Sequence, residues 1–452
     1  MTLSAADAAA GPAPRAAGAA FYRAVWRWHF YAGLFALPFM ILLALTGGLY
    51  LFKDEIELAR HRDLLVVTPP AQPLPADQLI ASALAAVPGK AVKLVVPAAP
   101  DRSLDVVIDD AAGLRRSVYV DPGSGLVLGS IVQDEKLAQV LRRTHSLAIL
   151  GDGPNRVIEI VAGWAVILVV TGLYLWWPRG QQGGVVTLRG TPAKRVFWRD
   201  LHAVTGLVAG GFIVFLAVTG LPWSGFLGDR LNAELAARGA GYPLYLWDAA
   251  PESSVPLGAV TDAGWTLEGS PVPASSPAAH PALPVEQALQ TIRATGIAPG
   301  FTLALPKGPT GVYTASIFPD DITRQRAVHV DQYSGKVLAD VGFADYGAGA
   351  KAIEWGINVH VGQEFGPVNQ MLMLLACLAI VGMSLTALTM WWKRRPARAF
   401  GVPPVPSNRV MAGATLIIFL LSILFPLTAA SLLAVALIEL VARLLRPRAA
   451  RA

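Results

Sequence analysis

The sequence predicts a membrane all-α helical bundle, with four core transmembrane helices and a C-terminal hairpin, carrying two external α+β domains and built by internal duplication. Composition, the placement of basic residues and a set of matched histidine spacings carry that prediction. The chain has 452 residues, 54% of them hydrophobic and only 15% charged. Soluble domains carry about 25% charge, so much of this chain avoids water. A helix crosses a bilayer with about 20 apolar residues. Four runs qualify: His29–Phe52, Val157–Trp177, Ala203–Trp223 and Val368–Trp392. A further apolar stretch, Met411–Leu445, is interrupted by Pro426, and the basic tail beyond it favours a hairpin that returns to the starting side.

The net charge of +6 does not signal nucleic acid, because the basic residues collect at alternate helix ends. Arg15, Arg23 and Arg27 precede the first span. Arg179, Arg189, Lys194, Arg195 and Arg199 separate the second from the third. Lys393, Arg394, Arg395, Arg398 and Arg409 follow the fourth, and Arg443, Arg446, Arg448 and Arg451 end the chain. Positive residues remain in the cytoplasm, so both termini are expected there. The resulting order is a disordered tail (1–20), a first span (21–52), an external domain (53–140) and a rim helix with the second span (141–178). A cytoplasmic loop (179–200), the third span (201–224) and a second external domain (225–355) come next. A rim segment with the fourth span (356–393), a loop (394–409) and the hairpin (410–446) complete it. The lone cysteine, Cys377, excludes an internal disulfide.

The duplication is visible in spacings. His29 and His202 are each followed by Gly four residues on (Gly33, Gly206) and by Thr-Gly seventeen residues on (Thr46-Gly47, Thr219-Gly220). His145 and His360 each precede Thr by 26 residues (Thr171-Gly172, Thr386-Ala387) and a Trp pair by 31, with Gly151 and Gly366 six residues after the histidine. The external segments repeat as well. Val118–Leu128 and Val328–Leu338 both read as β-hairpins around an Asp-x-x-Ser-Gly turn. Helices are expected over Pro75–Ala86 and Pro284–Ala294, and strands near Val92–Val96 and Gly311–Phe318. Segment 249–283, rich in Pro, Ala and Ser and containing His280, reads as a mobile excursion, and His329, aligned with Tyr119, reads as a surface strand residue.

Topology sorts the four repeated histidines into pairs, His29 with His202 at the cytoplasmic ends and His145 with His360 at the external ends. A helix from His145 to Thr171 would be about 39 Å long, too long for one straight span. A break at Gly151 and Pro154 is therefore expected, with His145 and His360 on short helices at the membrane rim. Ionisable side chains near hydrocarbon suggest function, and imidazole is a common axial ligand of haem iron. Two histidines at one depth would sandwich a porphyrin, with Gly33 and Gly206 admitting the flat ring. Arg27, Arg199, Arg142 and Arg143 are near enough in sequence to pair with its propionates. Zinc is the rival metal, but its sites add cysteine or carboxylate ligands, and none recurs beside these histidines. The threonines read as helix-packing residues, and Trp26, Trp28, Trp176, Trp177, Trp198, Trp223, Trp391 and Trp392 as interfacial anchors.

Several runs carry a family resemblance: Trp28-His29 to Thr46-Gly47-Gly48-Leu49-Tyr50, Thr171-Gly172-Leu173-Tyr174-Leu175-Trp176-Trp177-Pro178-Arg179, Asp200-Leu201-His202, and Trp391-Trp392-Lys393-Arg394-Arg395-Pro396. Together they resemble the PepSY-associated transmembrane proteins, and the external domains resemble PepSY domains. The resemblance implies a bacterial inner-membrane protein linked to iron acquisition. Some members are ferrisiderophore reductases holding haem b through histidines of these helices. Carried onto this chain, it implies two bis-histidine haems, on His29/His202 and His145/His360. It also implies a separate cytoplasmic electron donor, since no flavin domain is fused, and a ferric siderophore or other ferric chelate as substrate. Two rival classes stay open: a PepSY-based binding or regulatory membrane protein without redox activity, and a siderophore transporter.

Overall fold

The computed structural model describes residues 14–180, 183–243, 252–256, 271–273, 282–308, 311–396, 401 and 408–445. The start of the N-terminal tail, His280 with most of the Pro-, Ala- and Ser-rich excursion, Arg398, and the basic end at Arg446, Arg448 and Arg451 lie outside the described residues. In chain order the first elements are α1 (Pro14–Tyr50), α2 (Lys53–Arg60), α3 (Arg62–Leu65), α4 (Ala76–Ala86), β1 (Gly89–Val95), β2 (Leu104–Asp110), β3 (Arg115–Val120) and β4 (Val127–Val132). They are followed by α5 (Leu137–His145), α6 (Asp152–Trp176), α7 (Arg195–Gly220), α8 (Leu227–Ala237), β5 (Glu252–Pro256), β6 (Pro271–Pro273) and α9 (Val285–Ala294). The last are β7 (Thr302–Ala304), β8 (Val312–Ile317), β9 (Arg326–Asp331), β10 (Val337–Gly342), α10 (Ala348–His360), α11 (Pro367–Arg394), α12 (Asn408–Ser422) and α13 (Pro426–Leu445). They fall into two compact units: a helical one within Met1–Gly48, His145–Leu227 and Leu374–Ala452, and an α+β one within Leu49–Thr144 and Gly228–Met373.

Among the described residues, four helices are long and apolar enough to cross a membrane: Gly18–Tyr50, Gly153–Trp176, Arg195–Trp223 and Pro367–Arg394. They mark a multi-pass membrane protein. In the helical unit, α1, α6, α7 and α11 meet through buried Ala44, Ala165, Ala209, Ile213 and Ile380. Small side chains at such contacts let the helix backbones approach. The expected break after His145 is present. Leu147 and Gly151 both take positive φ (57° and 106°), and α6 starts at the next residue. Pro154 then sits in the first turn of α6, where a missing N–H costs little. Gly366, at φ 59°, stands in the same way immediately before Pro367, the first residue of α11.

Residues 411–445 are two helices rather than one kinked one. Pro426 occupies the first position of α13, a place suited to its fixed φ. Both helices pack on the bundle. The Trp28 indole donates to Thr415 Oγ1 of α12 at 3.2 Å, and the Trp164 indole to Ser431 Oγ of α13 at 3.1 Å. Gly163 of α6 faces α13 so closely that a Cβ there would lie 2.9 Å from both Phe425 Cβ and Thr428 Cβ. Gly163→Leu is therefore expected to cost about 1–3 kcal/mol by overpacking and to loosen α13. A lowered melting temperature checks this. Gly382→Leu is the control and should melt like wild type, because a Cβ at Gly382 meets nothing within 4 Å.

The α+β unit differs from the expected pair of separate domains. Each half does contain a helix followed by four antiparallel strands. However, β1 and β7 pair antiparallel (Lys93 opposite Ala304, Leu94 opposite Leu303, Val95 opposite Thr302), giving one eight-stranded sheet in the order β10-β9-β8-β7-β1-β2-β3-β4. One core covers both halves. Leu79, Ile80 and Ala83 of α4 and Leu289 and Ile292 of α9 pack with Leu94, Val106, Ile108, Val118, Leu303, Val328 and Val330 of the sheet. The two helices also cap one another: Asp77 accepts the Val285 and Glu286 N–H groups (2.9 and 3.0 Å), and Glu286 accepts the Ala76 N–H (3.0 Å). Carboxylates at helix N-termini satisfy donors that have no partner within the helix.

Both Asp-x-x-Ser-Gly hairpins form. Asp121 accepts from Gly123 N–H and Ser124 Oγ, and Asp331 from Tyr333 N–H and Ser334 N–H, while Gly125 and Gly335 take φ near +70° (73° and 70°). His329, expected on the surface, is instead wholly buried, with Nδ1 3.0 Å from Thr314 Oγ1. Burial pushes its imidazole pKa down to about 3.

Candidate functional site

The repeated threonines explain how the histidines are held. In α6, the Thr171 hydroxyl donates to the Ile167 carbonyl at 2.7 Å, and His29 Nδ1 of α1 lies 2.9 Å from the same oxygen. A hydroxyl has one proton. With that proton spent on Ile167, the oxygen accepts from His29, so Nδ1 carries the hydrogen. The same arrangement recurs at His145, whose Nδ1 is 2.9 Å from Thr46 Oγ1 while Thr46 donates to Leu42 O at 2.7 Å. At the third site, His202 Nδ1 lies 3.1 Å from the Met383 carbonyl and 3.2 Å from Thr386 Oγ1, which itself donates to Met383 at 2.8 Å. A carbonyl only accepts, so this ring is also protonated on Nδ1. Three imidazoles thus share one tautomer, with the lone pair on Nε2. That is the form that ligates metal, and the second nitrogen's hydrogen bond fixes it. His145 lies outside the spanning segments. Burial pushes its pKa down to about 4, against a hydrogen bond to the Leu43 backbone that favours the charged ring.

At His29 and His145 the glycine beside the threonine serves the same contact. A Cβ at Gly172 would stand 3.3 Å from His29 Cε1, and one at Gly47 would stand 3.5 Å from His145 Cε1 and 3.9 Å from Cys377 Sγ. The Thr-Gly motif is therefore a cradle, with an acceptor for Nδ1 and room for the ring edge. Reading the threonines as packing residues misses this. The signal is in the sequence, in the identical offsets of 17 and 26 residues, but which partner each offset reaches depends on how the helices are arranged.

His29 and His202 line one cavity of about 540 Å³ in the helical unit, together with Gly33 and Gly206. Ligand sites commonly occupy 300–1,000 Å³. Neither glycine is crowded: a Cβ at Gly33 would meet only Leu168 Cδ2, at 3.8 Å, and one at Gly206 only Met383 Sδ, at 3.4 Å. Leu37, Met40 and Ile213 line the cavity from apolar positions, and Arg195, Arg199 and Arg394 add cationic ones. Among the described residues no three His, Cys, Asp or Glu side chains gather as a metal site. The donor set is thus a pair of imidazoles on a slot with glycine walls, which fits a planar metal complex that brings its own equatorial ligands.

Of the remaining expected site residues, Arg199 lines this cavity, whereas His145, His360, Arg27, Arg142 and Arg143 do not. His145 belongs to the helical unit, whereas His360 ends α10 in the α+β unit. Arg143 forms an ion pair with Asp134 at 2.6 Å. Arg27 stacks on Tyr31, 5.1 Å from the ring centroid. Arg199 pairs with Asp200, a fully buried carboxylate that also takes Arg189 at 2.9 Å and so closes the preceding loop onto α7.

Residues 26–394 match a family described as PepSY-associated TM region. The chain belongs to that family. No curated protein matches it. The PepSY-associated match takes in all four repeated histidines, their threonines and the whole α+β unit, and stops at Arg394, before α12 and α13.

Proposed function

We propose that this PepSY-associated membrane protein is a haem-containing electron carrier of the bacterial inner membrane. It takes electrons from a separate cytoplasmic donor and reduces a ferric siderophore, or a similar ferric chelate, on the periplasmic side. The observation that carries this reading is the pair His29 and His202 on one cavity, each with Nδ1 engaged and Nε2 available. Haem would supply a one-electron iron couple at a depth where no side chain can. The chain's own part is to hold the imidazoles in the ligating tautomer through Thr171, Met383 and Thr386, and to admit a flat ring at Gly33 and Gly206. Leu37, Met40 and Ile213 keep the surroundings dry. His145, held by Thr46, and His360 are assigned to the second, outer haem. At the outer surface one electron converts Fe(III) in the chelate to Fe(II). Hard oxygen ligands hold the reduced ion less well, so the metal is released.

The test is an optical spectrum of the purified protein after expression with ample haem, quantified as the pyridine haemochrome. Two reducible low-spin b-type haems per chain are expected. A colourless, folded protein would end this reading and leave a binding or regulatory role for the α+β unit.

A further inference from the structure

The cavity that holds His29 and His202 is polarised along its length. Its described lining residues include Arg195, Arg199 and Arg394, and none is acidic. The arginines share one end. Arg195 precedes His202 by seven residues on α7, about 10 Å of helix, and Arg394 follows Thr386, the partner of His202, by eight residues on α11, about 12 Å. On the other side of the histidines, Met40 and Ile213 each stand eleven residues on, about 16 Å away. One end therefore offers guanidinium groups and the other hydrocarbon.

The arginines are not equivalent. Arg199 is committed to Asp200. Arg195 has no ion-pair partner among the described residues. Arg394 is oriented by two rings, its guanidinium carbon 4.7 Å from the Trp26 centroid and 5.0 Å from that of Phe30, and gives one N–H to the Gly401 carbonyl at 2.6 Å. Stacking fixes its plane and leaves further donors free. Arg195 is exposed at the first residue of α7 and Arg394 is half-buried, and two cations on a cavity without a carboxylate favour an anionic ligand there.

The geometry points to Arg195 and Arg394 as the seat of the two carboxylate arms of the cavity's tetrapyrrole, with its apolar edge toward Met40 and Ile213. This rests on the haem reading above, and adds which residues select the ligand and which way round it lies. Of the arginines nearest in sequence to the inner pair, Arg27 does not line the cavity and Arg199 is committed to Asp200, so the seat falls to Arg195 and Arg394. Both arginines also lie at a helix end where basic residues serve as topological anchors, so the test must separate the two roles.

Apoprotein from haem-depleted cells, titrated with haemin and with haemin dimethyl ester, does so, because esterification removes only the negative charges. Charge-assisted hydrogen bonds contribute about 1.5–3 kcal/mol, and 1.4 kcal/mol is tenfold in affinity. Wild type should therefore bind haemin at least about tenfold more tightly than the ester. The double variant Arg195→Leu/Arg394→Leu should bind haemin only as tightly as the ester while its affinity for the ester stays unchanged, which also shows that it is folded. Equal affinities in wild type, or a variant weakened toward both ligands alike, would overturn the arginine seat while leaving low-spin spectra in place. If neither molecule gives a low-spin spectrum with wild type, the haem reading itself fails and this inference with it.

Discussion

His29→Ala and His202→Ala are each expected to abolish the low-spin signature of the same haem, leaving about half of the wild-type signal, because a bis-histidine centre needs both axial ligands. The double variant His29→Ala/His202→Ala should then be no worse than either single one. Two residues acting as a unit are strongly non-additive. Combining His29→Ala with His145→Ala should instead remove both signatures, since the two histidines serve different centres under the proposed pairing. The measurement is the reduced-minus-oxidised spectrum normalised to protein. If His29→Ala/His202→Ala loses everything while His29→Ala/His145→Ala keeps half, the pairing is wrong even though haem is present. The cavity supports the first outcome, since His29 and His202 line it together and His145 does not.

What is legible in the sequence follows the range of the interactions involved. The spans are readable because hydrophobic length is a local property: their C-terminal ends fall within about two residues of the helix ends, while the first and third helices begin well before the runs His29–Phe52 and Ala203–Trp223, at Gly18 and Arg195. The break after His145 is readable because a helix of about 39 Å exceeds a bilayer core of about 30 Å. The hairpins at Asp121 and Asp331 are readable because each Asp side chain closes its own turn, accepting from donors only two and three residues on. The junction of β1 with β7 has no such signal. It joins residues such as Lys93 and Ala304, far apart in sequence, and neither strand shows its partner in its own pattern. His329 is misread for a related reason. Alternate strand residues face opposite sides of a sheet, and from the pattern alone the side away from α4 and α9 reads as wet. Ser117, Thr314 and His329 on that side are all fully buried. The site is half legible: repetition singles out the histidines and their glycines, but the roles of the threonines and of Arg394 depend on contacts between helices distant in sequence.

Thr171→Val is expected to weaken haem binding at the His29 site about 10–100-fold, the usual cost of removing a hydrogen bond that orients a metal-bound histidine. Valine keeps the shape and the β-branch but cannot accept from Nδ1. The His29 N–H would then be buried without a partner, at about 1–3 kcal/mol, or the ring would turn and lose the Nε2 direction. Thr171→Ser keeps the hydroxyl and should restore most of the affinity, which separates the hydrogen bond from packing. Gly172→Ala offers a graded comparison. Its Cβ would press on His29 Cε1 at 3.3 Å, yet Ala387 occupies the matching place beside Thr386, where His202 reaches the Met383 carbonyl as well as the threonine. A ring at that site thus coexists with a methyl group by leaning on a second acceptor, and His29 has the Thr171 oxygen as its described partner. Gly172→Ala should accordingly cost less than Thr171→Val and shift the low-spin band without removing it. Haem titration of the three variants, with the His145 site as internal reference, checks the order; a Thr171→Val protein that binds haem like wild type would show that the tautomer of His29 is set elsewhere.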